Sequence, residues 1–214
     1  MNFALVSMND RVYQPLADIT WVQNKVEYAT RYGYGYACKI EGWYGIDLAW
    51  EKICFIRDMM IAYPEIDWFW WTGCDTLITN MTIKLDDVVD NDYHVMIAAD
   101  CNGLNSDSLF FRNSPEGRAY IDMIVSKHDE YVRTNWKEQQ VIIDTLPEYS
   151  SIIKVVPQKL INAYDYGLYP ECTPIDQNGN DGQWAPGDLL IHWPGTALGR
   201  RIQLAQHYLT QVVR

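Results

Sequence analysis

Residues 68–80 read WFWWTGCDTLITN: three tryptophans and a phenylalanine, then Thr72, Gly73, Cys74 and Asp75. A short aromatic run that stops at turn residues predicts a strand covered on both faces, as in a parallel sheet. Asp75 is then the first charge delivered beyond that strand. The carboxyl ends of strands are where open α/β sheets bind their ligands.

The flanking patterns agree. Phe3 to Ser7 is an apolar run that ends in the polar Met8, Asn9 and Asp10, and reads as a first strand. Pro15 opens a helical pattern with apolar Leu16, Ile19, Val22, Val26 and Ala29, closed near Gly33. Tyr34 to Ile40 fits a second strand. Leu48 to Ala62 fits a helix with Glu51, Lys52, Arg57 and Asp58 on its wet face. Trp68 to Trp71 is the third strand, His94 to Ala99 a fourth ending at Asp100, and Ser108 to Arg112 a fifth. Ser114 reads as an N-cap with Pro115 at the first helical position, starting a helix to about Tyr131. A helix over about Glu138 to Leu146, a strand at Ile152 to Val156, a last strand at Leu189 to Trp193 and a helix from about Leu198 complete the pattern. Residues 165–187, rich in Gly, Pro, Asn and Asp, form a loop longer than a compact domain keeps without a use. Strands alternating with helices predict βαβ units, hence a single α/β domain over 1–214 built on a mainly parallel, Rossmann-like sheet flanked by helices.

The bulk numbers narrow the function. With 214 residues and a net charge of −11, the chain lacks the cationic face that nucleic-acid affinity rests on, so no nucleic-acid partner is expected. No apolar stretch reaches about 18 residues, so no membrane span is expected, and the first residues lack the pattern of a secretory signal. Five cysteines, an odd number without C-x-x-C spacing, read as free thiols in a reducing, cytoplasmic compartment, and make zinc improbable. There is no G-x-G-x-x-G and no phosphate-binding Gly-Lys-Ser/Thr loop.

Residues 63–80, YPEIDWFWWTGCDTLITN, resemble the metal-site segment of glycosyltransferase family 34, the xyloglucan xylosyltransferase and galactomannan galactosyltransferase family. RYGYGY (31–36), LAWEKI (48–53), GLNSDSLFFRN (103–113) and GDLLIHWPG (187–195) match in order, with weaker matches at KEQQ (137–140) and VPQKLINAY (156–164). The compact length looks more like a viral member, of the kind with which chlorella viruses glycosylate their own capsid protein. The resemblance implies a GT-A fold, a UDP-sugar donor, a divalent cation (Mn²⁺ or Mg²⁺) and transfer to a glycan or glycoprotein with retention of anomeric configuration.

It also implies roles. Asp75 and His192 would hold the cation, whose charge neutralises a departing diphosphate. One acid of the family's Asp-x-Asp is missing, because position 73 is glycine. An acid past a buried strand also caps turns, and a histidine on an apolar strand is also an ordinary hydrogen-bonded core residue. Asp100, Asn105, Ser106 and Asp107 would contact the donor sugar, with Asp107 standing where the family has glycine. The same residues serve as turn chemistry. Glu138 and Gln139 resemble the family's pair near the reacting carbon, Glu138 being the nucleophile if there is one. Otherwise they are the exposed first turn of a helix. Ser7, Met8, Asn9, Tyr13, Tyr36 and Cys74 would line the nucleotide, with Tyr36 or Trp43 stacking on the base. Gly195 and one of Arg200 and Arg201 would meet the diphosphate, Arg200 being the first choice. Tyr164, Tyr166, Tyr169 and Trp184, on or beside the long loop, are candidates for an acceptor platform. Two rivals stand beside the transferase: a nucleotide-sugar or carbohydrate binder that has lost catalysis, suggested by Gly73, and a nucleotidyltransferase, whose glycine-rich basic loop is missing after the first strand.

Overall fold

The computed structural model describes residues 1–214. The chain runs β1 (Phe3–Met8), α1 (Gln14–Ala17), a π-helical stretch (Asp18–Lys25), α2 (Val26–Tyr32), β2 (Gly35–Lys39), α3 (Leu48–Ala62), β3 (Trp68–Thr72), β4 (Thr76–Ile78), β5 (Val95–Asp100) and β6 (Gly103–Arg112). It continues with α4 (Pro115–Ser126), α5 (His128–Tyr131), α6 (Lys137–Tyr149), β7 (Ile153–Val156), α7 (Gln158–Ile161), β8 (Ala163–Tyr164), β9 (Leu190–His192) and α8 (Leu198–Leu209).

Six strands form the main sheet in the order β2-β1-β3-β6-β5-β7. The β1–β2, β1–β3 and β5–β7 pairs are parallel, and β6 runs antiparallel between β3 and β5. Alternation along β3 explains its run of aromatics. Trp68 and Trp70 face a core that includes Tyr28 and Ala29 of α2, whereas Phe69 and Trp71 face one built with residues of α3, α4 and α6. Both faces are covered, so the strand carries no polar side. Trp70 stacks on its cross-strand partner Phe110, ring centroids 5.0 Å apart.

A second sheet, β4-β9-β8, stands beyond the carboxyl end of β3. Thr76 pairs with His192, and the Trp193 amide donates to the Asp75 carbonyl at 3.1 Å. The π-helical stretch clamps the turn between β3 and β4. Lys25 Nζ donates to the Gly73 carbonyl (2.8 Å), Thr20 Oγ1 to the Cys74 carbonyl (2.7 Å), and Asn24 exchanges hydrogen bonds with the backbone of Ile78 (2.9 and 2.8 Å). A π-bulge re-aims side chains relative to an α-helix, and here it presents these to one turn.

Three expectations are corrected. The turn chemistry read at Asn105 to Asp107, ahead of a strand from Ser108, gives way to the first half of β6, which begins at Gly103 and has a register shift against β5 between Ile97 and Ala98. The helix from Pro115 breaks at Lys127 into α4 and α5. Glu51 and Lys52 do not lie on a wet face. Each is buried and finds an opposite charge from another element, Lys39 for Glu51 at 2.9 Å and Glu138 for Lys52 at 2.6 Å.

Candidate active site

Asp75, carried just past β3, is buried and faces the imidazole of His192 from β9, Oδ1 to Nε2 being 3.5 Å. Asp107, near the middle of β6, brings its Oδ2 to 3.8 Å from the same nitrogen. One donor atom from each of the three residues lies within 4.8 Å of the others. His192 Nδ1 lies 2.8 Å from the buried Asn162 carbonyl oxygen. An oxygen there can only accept, so Nδ1 carries a proton, and Nε2 is the nitrogen turned towards the two carboxylates. Nε2 is fully buried and makes no hydrogen bond. An orphaned nitrogen beside two carboxylates is a poor arrangement for a packed core and a good donor set for a divalent cation. The residues fit one.

Two cations frame this cluster. Arg201 of α8 reaches Asp75 Oδ2 at 2.7 Å and also donates to the Trp193 carbonyl and the Tyr13 hydroxyl. Burial disfavours the charged Asp75 carboxylate, but its cationic surroundings, with the Arg201 guanidinium 2.7 Å from Oδ2, outweigh it and hold the group below the ordinary carboxylate range. Behind the turn, burial pulls the Lys25 ammonium down to about 8, against the attraction of Cys74 and Asp75.

Three cavities meet here. The first, about 280 Å³, is lined by Met8, Asn9, Tyr13, Trp43, Cys74 and Arg201, with Asp75 and Asp107 at one end. The second, about 430 Å³, shares Asp107 with the first and adds Lys52, Ser106, Glu138 and Gln139. The third, about 550 Å³, shares Asn105, Trp136, Gln139 and Gly195 with the second and is walled by Asp100, Tyr164, Tyr169 and Arg200. A chain of hydrogen bonds joins the Asp75–Asp107–His192 cluster to this third cavity. Asn162 Nδ2 donates to the Tyr164 hydroxyl (3.3 Å), which donates to Asp100 Oδ2 (2.6 Å), and Asn105 Nδ2 bonds both Tyr164 (2.9 Å) and Asp100 (3.2 Å). Burial and the Asp100 charge push the Tyr164 phenol well above its ordinary range, so it stays a proton donor.

Glu138 is not an exposed first-turn acid. It is buried, its Oε1 held by Lys52 Nζ (2.6 Å) and by the Ser106 hydroxyl (2.8 Å). Gln139 Oε1 accepts from the Ser106 amide at 3.0 Å, which fixes the side chain between the second and third cavities.

The expected nucleotide contacts divide. Met8, Asn9, Tyr13, Cys74 and Trp43 line the first cavity. Ser7 is buried and spends its hydroxyl on the Thr72 carbonyl (2.7 Å), and Tyr36 is half exposed beside Trp21, away from the cavity. Of the two arginines, Arg201 reaches Asp75 whereas Arg200 lies in the third cavity and bonds Gln203. Tyr164 and Tyr169 wall that cavity, but Trp184 packs into the core against Tyr208, with ring centroids 4.9 Å apart.

Four participants escaped the sequence reading: Asn162, Lys52, Trp136 and Trp71. Asn162 is set apart in the sequence only by its place in the VPQKLINAY match. Lys52 looks like any helix-surface lysine. Trp136, half exposed at the shared rim of two cavities, precedes Lys137, whose positive φ of 48° is costly for a non-glycine residue. The Trp71 indole N–H is buried without a partner on the wall of the first two cavities.

The sheet order and the second sheet that closes over the end of β3 define a GT-A glycosyltransferase fold. A glycosyltransferase involved in glycosylation of the major capsid of PBCV-1 superposes with a TM-score of 0.76 over 97% of this chain and 100% of that one, at 15% identity. The galactosyltransferase LgtC gives a TM-score of 0.60 over 95% of each chain, at 12% identity. The chain belongs to the galactosyl transferase GMA12/MNN10 family, glycosyltransferase family 34, whose sequence model matches residues 6–90 and 88–202. It is 28% identical to an alpha-1,2-galactosyltransferase of Schizosaccharomyces pombe over 81% of this chain and 55% of that one. It is also 28% identical to xyloglucan 6-xylosyltransferase 1 of Arabidopsis thaliana over 44% of this chain and 22% of that one. The chain spans little more than half the length of several yeast relatives it matches, 55% and 59% for two of them.

Proposed function

We propose that the protein moves a hexose or deoxyhexose from a UDP-sugar to a hydroxyl of a glycan or glycoprotein, with retention of anomeric configuration and with a divalent cation, Mn²⁺ or Mg²⁺. The observation that carries this reading is the unpartnered Nε2 of His192, fully buried and aimed at Asp75 and Asp107 where two cavities meet. These three residues would hold the cation. When bound, it supplies the charge that stabilises the departing diphosphate.

The other residues follow from their places. Asn9, Tyr13 and Trp43 take the uridine, with Arg201 adding a fixed guanidinium at the diphosphate end. Asn105, Ser106 and Gln139 orient the sugar in the second cavity, and the acceptor enters through the third. Its hydroxyl attacks the face that the diphosphate leaves and gives its proton to the departing oxygen. Glu138, pinned by Lys52 and Ser106, is a fixed negative charge in the cavity wall rather than a group free to attack the sugar.

The test is UDP release from UDP-hexoses with Mn²⁺ and with a chelator, for the wild type and Asp75→Ala. Release that needs the metal and disappears in the variant is expected. Mn²⁺-dependent UDP binding without any turnover would leave only a nucleotide-sugar binder, and melting shifts confined to GDP- or dTDP-sugars would overturn the uridine assignment.

A further inference from the structure

Positions 73 and 107 are neighbours on adjoining strands. Thr72 pairs with Ser108 across the antiparallel β3–β6 ladder, and one residue further on the Gly73 amide donates to the Asp107 carbonyl at 2.8 Å. A Cβ built on Gly73 would lie 3.6 Å from Cβ and Cγ of Asp107 and 2.8 Å from Oδ1 of Asp75. A side chain at 73 would therefore enter the space between the two carboxylates. The bare glycine leaves that space to Asp107.

Charge makes the same point. Asp75 shares its Oδ2 with Arg201 at 2.7 Å, and His192 contributes a neutral nitrogen. Without Asp107 the donor set would hold one carboxylate already half neutralised by a guanidinium, a weak site for a divalent cation. Asp107 supplies a second carboxylate through Oδ2, its Oδ1 lying 3.8 Å from Lys52 Nζ, and 44% of its side chain is accessible to solvent.

We propose that the second carboxylate of the cation site has changed strands. Asp107 of β6 provides what an acid at position 73 would otherwise provide, so glycine at 73 and aspartate at 107 are one exchange and not two separate departures. The proposal rests on the cation reading above and specifies how this chain satisfies it.

The experiment measures Mn²⁺ binding to the full chain without nucleotide, by the loss of the free-ion electron paramagnetic resonance signal. Asp107→Gly, Asp107→Asn and the double variant Gly73→Asp/Asp107→Gly are compared with the wild type, and thermal melts report folding. Both single variants should lose about tenfold or more in affinity. The double variant should recover to within about threefold of wild type, as expected of coupled neighbours. Asp107→Asn binding as tightly as a metal-binding wild type would overturn the exchange and leave the cation reading standing. So would a natively melting double variant no better than Asp107→Gly. A wild type that binds no Mn²⁺ would remove both.

Discussion

Lys52→Met should destabilise the protein far more than an ordinary change on an amphipathic helix. The ammonium sits 2.6 Å from Glu138 Oε1, 2.9 Å from Ser106 Oγ and 3.1 Å from the Ser106 carbonyl. Both charged side chains are almost fully enclosed, 5% and 4% accessible. Methionine keeps the aliphatic stem but leaves the Glu138 carboxylate buried with only the Ser106 hydroxyl on that oxygen. Breaking a buried pair on one side costs about 3–5 kcal/mol. For a chain of this length each kcal/mol lowers Tm by about 2–4 °C, so a loss of roughly 10 °C is expected. Removing both charges in Lys52→Met/Glu138→Leu should return most of it, because apolar replacements of a buried pair are often close to neutral. Urea unfolding of wild type, both singles and the double at neutral pH closes the cycle. A loss below about 1 kcal/mol in Lys52→Met, or a double variant as unstable as the sum of the singles, would refute the reasoning that the pair is a tightly coupled buried unit.

Asn162→Leu should weaken Mn²⁺ binding about 10–100-fold by freeing the His192 tautomer, and an unchanged calorimetric affinity would show that Asn162 does not position the imidazole. Arg201→Met should weaken UDP binding about tenfold, or about 1.4 kcal/mol, whereas Arg200→Met should leave it nearly unchanged. Equal losses in the two calorimetric titrations would contradict their separate cavities. Lys25 has a folded value of about 8, below its ordinary 10.5. Its burial penalty is therefore complete below pH 8 and is relieved as pH rises from there towards 10.5. Compared with Lys25→Met, the wild type should gain about 3 kcal/mol over that interval in urea unfolding, and a gap independent of pH would show that burial does not lower the ammonium's pKa.

The sheet was legible because its signal is local. Trp68, Phe69, Trp70 and Trp71 need cover on both faces, and Asp75 marks where that need ends. His192 stood out only through the GDLLIHWPG match to the family, since a lone histidine on an apolar strand reads equally as core. Asp107 was harder. In sequence it stands among turn-forming residues, and only the antiparallel return of β6 brings it beside Gly73. Glu51 and Lys52 were misread for the same reason. A helical wheel shows charges but not the Lys39 or Glu138 that will meet them from other elements. Of the aromatics expected to form a platform because loop aromatics often bind sugars, Tyr164 and Tyr169 wall the third cavity, whereas Trp184 serves the packing under α8.

The rung that joins Thr76 to His192, with the Trp193 amide on the Asp75 carbonyl, has a consequence for biosynthesis. During translation Asp75 and Asp107 leave the ribosome before His192, which follows them in the sequence. Until β9 adds itself to β4, the growing polypeptide has the two acids but not the imidazole that faces them. On the proposed reading, cation binding requires that β9 has docked on β4, and a product truncated before β9 would lack the imidazole.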